Sequence, residues 1–367
     1  MTDLLYSDVE EDLRGSVRGM LAERSPVTKV LSDCETGTGH DPALWRVLAV
    51  EMGLAGLAVP EEHGGAGASL REAAVVVEEL GRAVTPLPYL GSAVVATAVV
   101  RAAGDGELLS TLGSGATVAA LAVPFATEPA GAGPSFRTEG AFRSEGDTVT
   151  GQALGVADAQ AADVLLVLTD AGLYAVPANA PGVERHPVVS LDLTRPLCDV
   201  SLHSAPGRLL ASGPAAAGAV RAGLTAGAAL LASEQLGIAE WCLDTTVDYL
   251  KTRHQFGRAV GSFQALKHRL ADVWVDLAQA RAAARYAAVC VATDDPDAAV
   301  AVALAQAYCS PVAVHAAEEC VQLHGGIGFT WEHPAHLFLK RAKADAIAFG
   351  TPDRHRAVLA DLVKLPA

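Results

Sequence analysis

The sequence predicts a mainly helical α+β chain, with an all-α N-terminal domain at 1–115, a middle antiparallel β-barrel at 116–212 and a C-terminal four-helix bundle at 213–367. Three observations carry that expectation. Capped apolar runs at helical spacing fill the first part. Short β-branched pieces separated by Gly, Pro, Asp and Asn fill the second. Gly213-Pro214 then opens the third as an amphipathic stretch that reaches Lys251 with no further proline.

In the first part, Val9, Leu13, Val17, Met20 and Leu21 share one face of a helix over 8–23. Asp41 caps another, with Pro42 at its first position. Residues 59–67 read as a turn-rich loop. Ser69 opens a helix through Leu80, with Glu72 at capping-box spacing, and 91–103 forms a strongly apolar helix. In the middle part, 116–123, 141–151, 164–169, 173–176 and 198–203 are the strands. In the last part the long stretch would span about 55 Å at a helical rise. That exceeds what a compact domain of this size covers, so part of it is expected to pack on another chain. Residues 264–291, 296–323 and 334–349 complete four helices, whose natural arrangement is an antiparallel bundle.

Composition narrows the function. The chain is 51% hydrophobic and 19% charged, with mean hydropathy +0.29. No uninterrupted apolar run reaches the length of a membrane span, and the surplus is Ala and Val, which suits closely packed helices. A net charge of −15 gives no global attraction for nucleic acid, so any phosphate needs a local basic or helix-terminus site. The six cysteines are scattered with no C-x-x-C pair, and the N-terminus has no basic segment followed by an apolar one. Both point to reduced thiols and a cytoplasmic location.

Two segments stand out chemically. Tyr249 to Gly257 runs Y-L-K-T-R-H-Q-F-G between two helices, with Phe263-Gln264 shortly after. Arg253 offers a planar fork suited to phosphate, and Gly257 suits a helix terminus; a basic last turn complementing the helix dipole is the plainer reading. Gln322 to Thr330 runs Q-L-H-G-G-I-G-F-T. Its glycines let a ligand approach the backbone, although an ordinary helix-to-helix turn has the same composition. Glu332, His333 and His336 form a weaker metal-like trio, with Pro334 favouring a helix start instead.

Together these blocks, their order, the Phe349-Gly350-Thr351 segment and the loop from Gly56 to Gly65 resemble the acyl-CoA dehydrogenase flavoproteins along nearly the whole chain. The resemblance implies the acyl-CoA dehydrogenase-like fold, with FAD held at a subunit interface. It places Arg253 on the FAD pyrophosphate. Gln255, Phe256, Gly257, Phe263 and Gln264 fall at the same site, and Gln322, His324, Gly325, Gly326 and Gly328 form the corner that grips the ADP part from a neighbouring subunit. Thr351 and Asp353 match the segment after the family's glutamate, with Asp353 in place of a glutamine. The implied reaction is α,β-dehydrogenation of an acyl-CoA thioester in lipid or steroid catabolism, within a homo- or heterotetramer and with an acceptor such as an electron-transfer flavoprotein.

The same resemblance exposes departures. The family's proton-abstracting glutamate lies just before the Gly-Thr pair or on the first long helix of the bundle. Those positions are Phe349 and Gly227 here, and neither ionises. The G-x-K-x-W-I-T segment becomes Gly151 to Ala157, with Gly155 and Ala157 where tryptophan and threonine would touch the flavin. The acidic-Pro loop shrinks to Glu128 to Gly133. The expectation is a subunit lacking the usual base that acts with a partner chain, as in the base-lacking subunits of bacterial hetero-oligomeric members. Asp345 or Glu234 as a shifted base is the competing expectation. A flavin enzyme working on a carrier-bound acyl group in biosynthesis and a cofactor-free structural subunit are the other readings.

Overall fold

The computed structural model describes residues 4–37, 39–129 and 142–365. Six α-helices come first: α1 (Asp8–Arg24), α2 (Val27–Thr36), α3 (Pro42–Trp45), α4 (Leu70–Ala83), α5 (Thr97–Ala103) and α6 (Gly106–Gly113). Their starts follow from sequence. Ser7 and Ser69 both close capping boxes, with Glu10 and Glu72, and Asp41 accepts from the N–H groups of Ala43 and Leu44. The apolar stretch expected as one helix begins instead as a π-helical segment, Tyr89–Ala96, and becomes regular only at α5.

Eight strands follow: β1 (Ala119–Leu121), β2 (Arg143–Glu145), β3 (Thr148–Ala157), β4 (Val164–Leu168), β5 (Gly172–Pro177), β6 (Val183–Val188), β7 (Leu197–Pro206) and β8 (Arg208–Ser212). They form two four-stranded sheets, ordered β1-β4-β5-β8 and β2-β3-β7-β6. A small core joins the two, with Val149, Val156, Leu165, Val176, Val200 and Leu202 all at 0% exposure. The expected antiparallel barrel therefore takes the form of two packed sheets, and one pairing, β1 with β4, is parallel.

The last part begins with α7 (Gly213–Thr252), followed by the two-stranded hairpin β9 (His254–Gln255) and β10 (Arg258–Ala259). Then come α8 (Gln264–Ala292), α9 (Ala298–Leu323), α10 (Ala335–Asp345) and α11 (Pro352–Leu362), the last being a helix beyond the four expected. Most of α7 between Ala216 and Leu243 is buried within this one chain, against α4, α5, α8 and α9. Its length is thus largely covered without a neighbour. Helices α7 and α9 each contain a window apolar enough to cross a membrane by length and composition, and 67% and 50% of those windows are buried in the fold. Glycines allow that burial. A Cβ on Gly237 would meet the Glu78 carbonyl oxygen at 1.9 Å, and one on Gly81 would meet the Glu234 carbonyl at 2.3 Å, so α4 and α7 touch backbone to backbone.

Candidate cofactor and reaction site

Two of the sequence motifs meet at one end of the bundle. The hairpin that follows α7 carries Arg253, Gln255, Phe256 and Gly257, all exposed, and Phe256 is 88% exposed at φ +53°. A bulky residue held in the left-handed region stores strain of about 1–2 kcal/mol, a cost found mostly at functional positions. Phe263 sits under the Arg258 guanidinium at 3.9 Å, and Gln264 is exposed at the first position of α8. The Tyr249 ring, one turn before Arg253, stacks on His324 at 4.5 Å. That contact ties the hairpin to the glycine corner after α9.

Within the corner the residues divide. Gln322, Gly325 and Gly326 are exposed, and a Cβ on either of these glycines would meet nothing within 4 Å. Gly328 is different, because its Cβ would lie 2.3 Å from the Val321 carbonyl oxygen. His324 is 2% exposed, with Nδ1 2.7 Å from the Cys320 carbonyl and its ring 4.3 Å from His333. Of the residues expected as cofactor contacts, His324 is thus buried with Nδ1 at the Cys320 carbonyl, and Gly328 lies where the backbone packs closely. Thr351 is likewise occupied, capping α11 through its side chain at Arg354 N–H, and Asp353 pairs with Arg356 at 2.5 Å. His333 Nδ1 accepts from the Ala335 N–H, where it caps the start of α10.

The open hairpin and corner fit the diphosphate of FAD. The exposed side chains there are predominantly cationic, with Lys251, Arg253, Arg258 and Lys267 in one stretch of a chain that is strongly acidic overall. Two glycines with free space beside them complete a cradle that a ligand can approach closely.

The reaction end is built differently. Phe349, at φ +52°, packs edge-on to Phe125 with centroids 5.4 Å apart, and its N–H donates to the Phe125 carbonyl at 2.9 Å. The ring also fills the space over Gly227, so the two positions that resemblance marked for a glutamate face each other across a closed contact. What remains is a cavity of about 30 Å³, lined in part by Leu90, Val95, Phe125, Asp158, Arg195 and Phe349. That is room for about one water. Glu128 and Pro129 lie in the described residues; the remainder of the shortened loop, 130–133, lies outside them.

Below the cavity lies a buried ionic network that no motif announces. Glu234 Oε1 accepts from Arg195 Nη2 at 2.5 Å and from Arg341 Nε at 2.7 Å, and Arg341 Nη1 reaches Asp192 at 3.0 Å. Burial opposes the charge on Glu234, but the two guanidiniums outweigh it and hold the carboxyl below the usual carboxylate range. Asp345 is 0% exposed, and burial and the Glu234 charge push it well above that range. Glu234 is held between two arginines, and Asp345 does not line the cavity. Asp158 does line it. Its Oδ2 has no partner among the described residues, and burial pushes it up to about 6 against the pull of Arg195. Sequence reasoning missed Asp158, Asp192, Arg195 and Arg341. The signal available was four charged residues in segments otherwise rich in apolar ones.

Comparison with known proteins identifies the family and the fold. Residues 7–109 match the model of the acyl-CoA dehydrogenase N-terminal domain, and residues 217–363 match that of the C-terminal domain. The chain is 37% identical over 341 residues to the acyl-CoA dehydrogenase IpdE2 of Mycobacterium tuberculosis, covering 93% of this chain and 92% of the relative. Among solved structures, the ChsE4–ChsE5 complex from Mycobacterium tuberculosis superposes with TM-score 0.86 at 28% identity, over 100% of both chains. A Tcur3481–Tcur3483 steroid ACAD variant superposes with TM-score 0.84 at 30% identity, over 97% of this chain and 98% of that one.

Proposed function

The chain belongs to the acyl-CoA dehydrogenase family, and from that premise we propose that it serves α,β-dehydrogenation of an acyl-CoA thioester as a subunit without the proton-abstracting glutamate, beside a homologous chain that carries one. The observation that carries the reading is the Phe349–Gly227 contact. Both base positions are apolar, and each fills the other's space. The α-proton of a thioester is weakly acidic, so a positioned carboxylate is indispensable for a useful rate. The cavity beside Phe349 has room for about one water.

FAD, when bound, supplies the hydride acceptor for the substrate Cβ. The residues here would hold it. Arg253 would take the pyrophosphate through its guanidinium fork, while Gln255 and the strained Phe256 line the same groove. Gln322 with Gly325 and Gly326 would receive the ADP end across the subunit interface. The two relatives solved as pairs of chains support a partner of the same fold, and the steroid named for one of them supports a ring-bearing acyl group.

The test is purification of this chain alone and together with a homologous chain that carries the glutamate. The expected result is flavin retention and acyl-CoA turnover only in the joint preparation. Turnover by the isolated, flavin-loaded chain would overturn the reading.

A further inference from the structure

Two cysteines and a histidine meet where α7 packs on α9, just inside the point at which the hairpin touches the glycine corner. Cys320 and His324 stand one turn apart on one face of α9 and its cap, and Cys242 faces them from α7. The Tyr249–His324 stack holds the two faces together, and the Cys242 thiol donates to the Cys320 sulfur. Cys242 is 0% exposed and Cys320 1%.

The contacts single out one of the two sulfurs. His324 Nδ1 lies 2.7 Å from the Cys320 carbonyl oxygen, which can only accept, so this nitrogen carries a proton. The same nitrogen is 3.7 Å from Cys320 Sγ. The Cys242 hydrogen bond, with that of His324, outweighs burial and holds the Cys320 thiol well below the ordinary thiol range. Burial and the neighbouring sulfur push Cys242 the other way. A sulfur with thiolate character therefore sits beside a protonated one, which is what a dithiol needs to close into a disulfide. The other thiols differ. Burial pushes Cys309 up to about 12, and burial with the Asp192 charge pushes Cys34, the one half-buried cysteine of the six, up to about 11.

We propose that Cys242 and Cys320 form a redox-active dithiol, which a hydroperoxide converts reversibly into a disulfide tying α7 to α9 beneath the glycine corner. The Cys320 sulfur attacks a peroxide oxygen; an S–O bond forms as the O–O bond breaks, and the departing hydroxide leaves as water with a proton from His324. The Cys242 sulfur then attacks Cys320 Sγ. The S–S bond forms as the S–O bond breaks, and the second hydroxide leaves as water with the Cys242 proton. The two thiols lose two electrons, and the peroxide takes them up as it is reduced to water. No cofactor enters either step, so the site does not depend on the flavin reading.

The test treats the purified, reduced chain with hydrogen peroxide at neutral pH, digests it without reductant and reads the peptides by mass spectrometry. Hydrogen peroxide is the probe because its size suits a buried sulfur. The expected product is a peptide linked through Cys242 and Cys320, from a chain lighter by two hydrogens that dithiothreitol restores. It should form before Cys34 is oxidised, although Cys34 is the more exposed thiol. Cys242→Ser should abolish the link and leave a sulfenic acid on Cys320 that dimedone traps. Cys242→Ala gives the same reading if the serine variant fails to fold. His324→Gln should slow the linkage by tenfold or more, since it removes the imidazole that favours the thiolate. Absence of the Cys242–Cys320 link, earlier oxidation of Cys34 or an unchanged rate in His324→Gln would overturn the proposal. Flavin content measured on the same samples reports on the reading above independently.

Discussion

The ring of Phe349 stands over the Cα of Gly227: a Cβ built on Gly227 would lie 2.8 Å from Phe349 Cζ and 2.7 Å from Val95 Cγ2. The glycine and the phenylalanine are therefore complementary, and neither can change size alone. Gly227→Ala should destabilise the chain by about 1–2 kcal/mol, as overpacking outweighs the roughly 1 kcal/mol that alanine gains over glycine in a helix. In a Phe349→Ala background the same substitution should cost less, because the ring's share of the obstruction is gone while that of Val95 Cγ2 remains. Urea denaturation of the four proteins in this double-mutant cycle measures the coupling. Strict additivity would mean that the two residues do not share the space.

Glu234 is the keystone of the network beneath that contact, since one of its oxygens serves both Arg195 and Arg341. Glu234→Leu would leave two buried guanidiniums short of a counter-charge, with an expected loss of about 3–5 kcal/mol. Replacing a charge by an apolar group of similar size does not spare the protein here, because the arginines remain. Thermal unfolding should show the loss as a clearly lowered Tm, and an unchanged Tm would show that water relieves the pair.

The helices were legible where local chemistry decides them. The boxes at Ser7 and Ser69, the cap at Asp41 and the run from Gly213 to Thr252 all stand where their residues put them. Strand β6 was missed because its side chains are mostly exposed, so Val183–Val188 carries no apolar alternation. Strand β8 and helices α2 and α6 were not read from the sequence either. The ionic network was invisible for another reason: Glu234 meets Arg195 and Arg341 from 39 and 107 residues away, and no local pattern encodes such pairings. At the site, the motifs single out segments but not which side chain in each faces outward. In the glycine corner, His324 is buried while its neighbours Gly325 and Gly326 stand open, a division the motif does not carry.

That division within the corner can be checked directly. Gly328→Ala should cost stability, since its Cβ would press on the Val321 carbonyl at 2.3 Å, backbone that has little room to yield. A side chain at Gly326 meets open space, so Gly326→Val should leave stability nearly unchanged yet lower flavin retention by blocking close approach. Arg253→Ala should lower retention further, and Arg253→Lys only part of the way, since an ammonium lacks the fork. Flavin absorbance per chain in the joint preparation with the homologous chain, read beside a melting curve, separates the two effects. Equal flavin content in all the variants would remove the hairpin and corner from the cofactor site.

Asp158 gives the pH dependence a definite sign. Burial pushes its carboxyl up to about 6, against the lowering influence of Arg195. The unfolded chain releases the same proton near pH 4. Between about 4 and 6 the native state thus holds a proton that the unfolded state has lost. The contribution of this group to stability is complete below about pH 4, falls as pH rises through 6 and is flat above it. A displacement of about two pKa units corresponds to roughly 3 kcal/mol. Glu78, pushed up to about 7 by burial and the Glu240 charge, acts in the same direction, so the informative quantity is a difference between two proteins. Asp158→Asn removes one titration and keeps the shape of the side chain. Its stability relative to the parent, from urea midpoints at pH 4.5 and 7.5, should improve by about 2 kcal/mol at the higher pH. Parallel profiles would mean that Asp158 stays in one protonation state throughout.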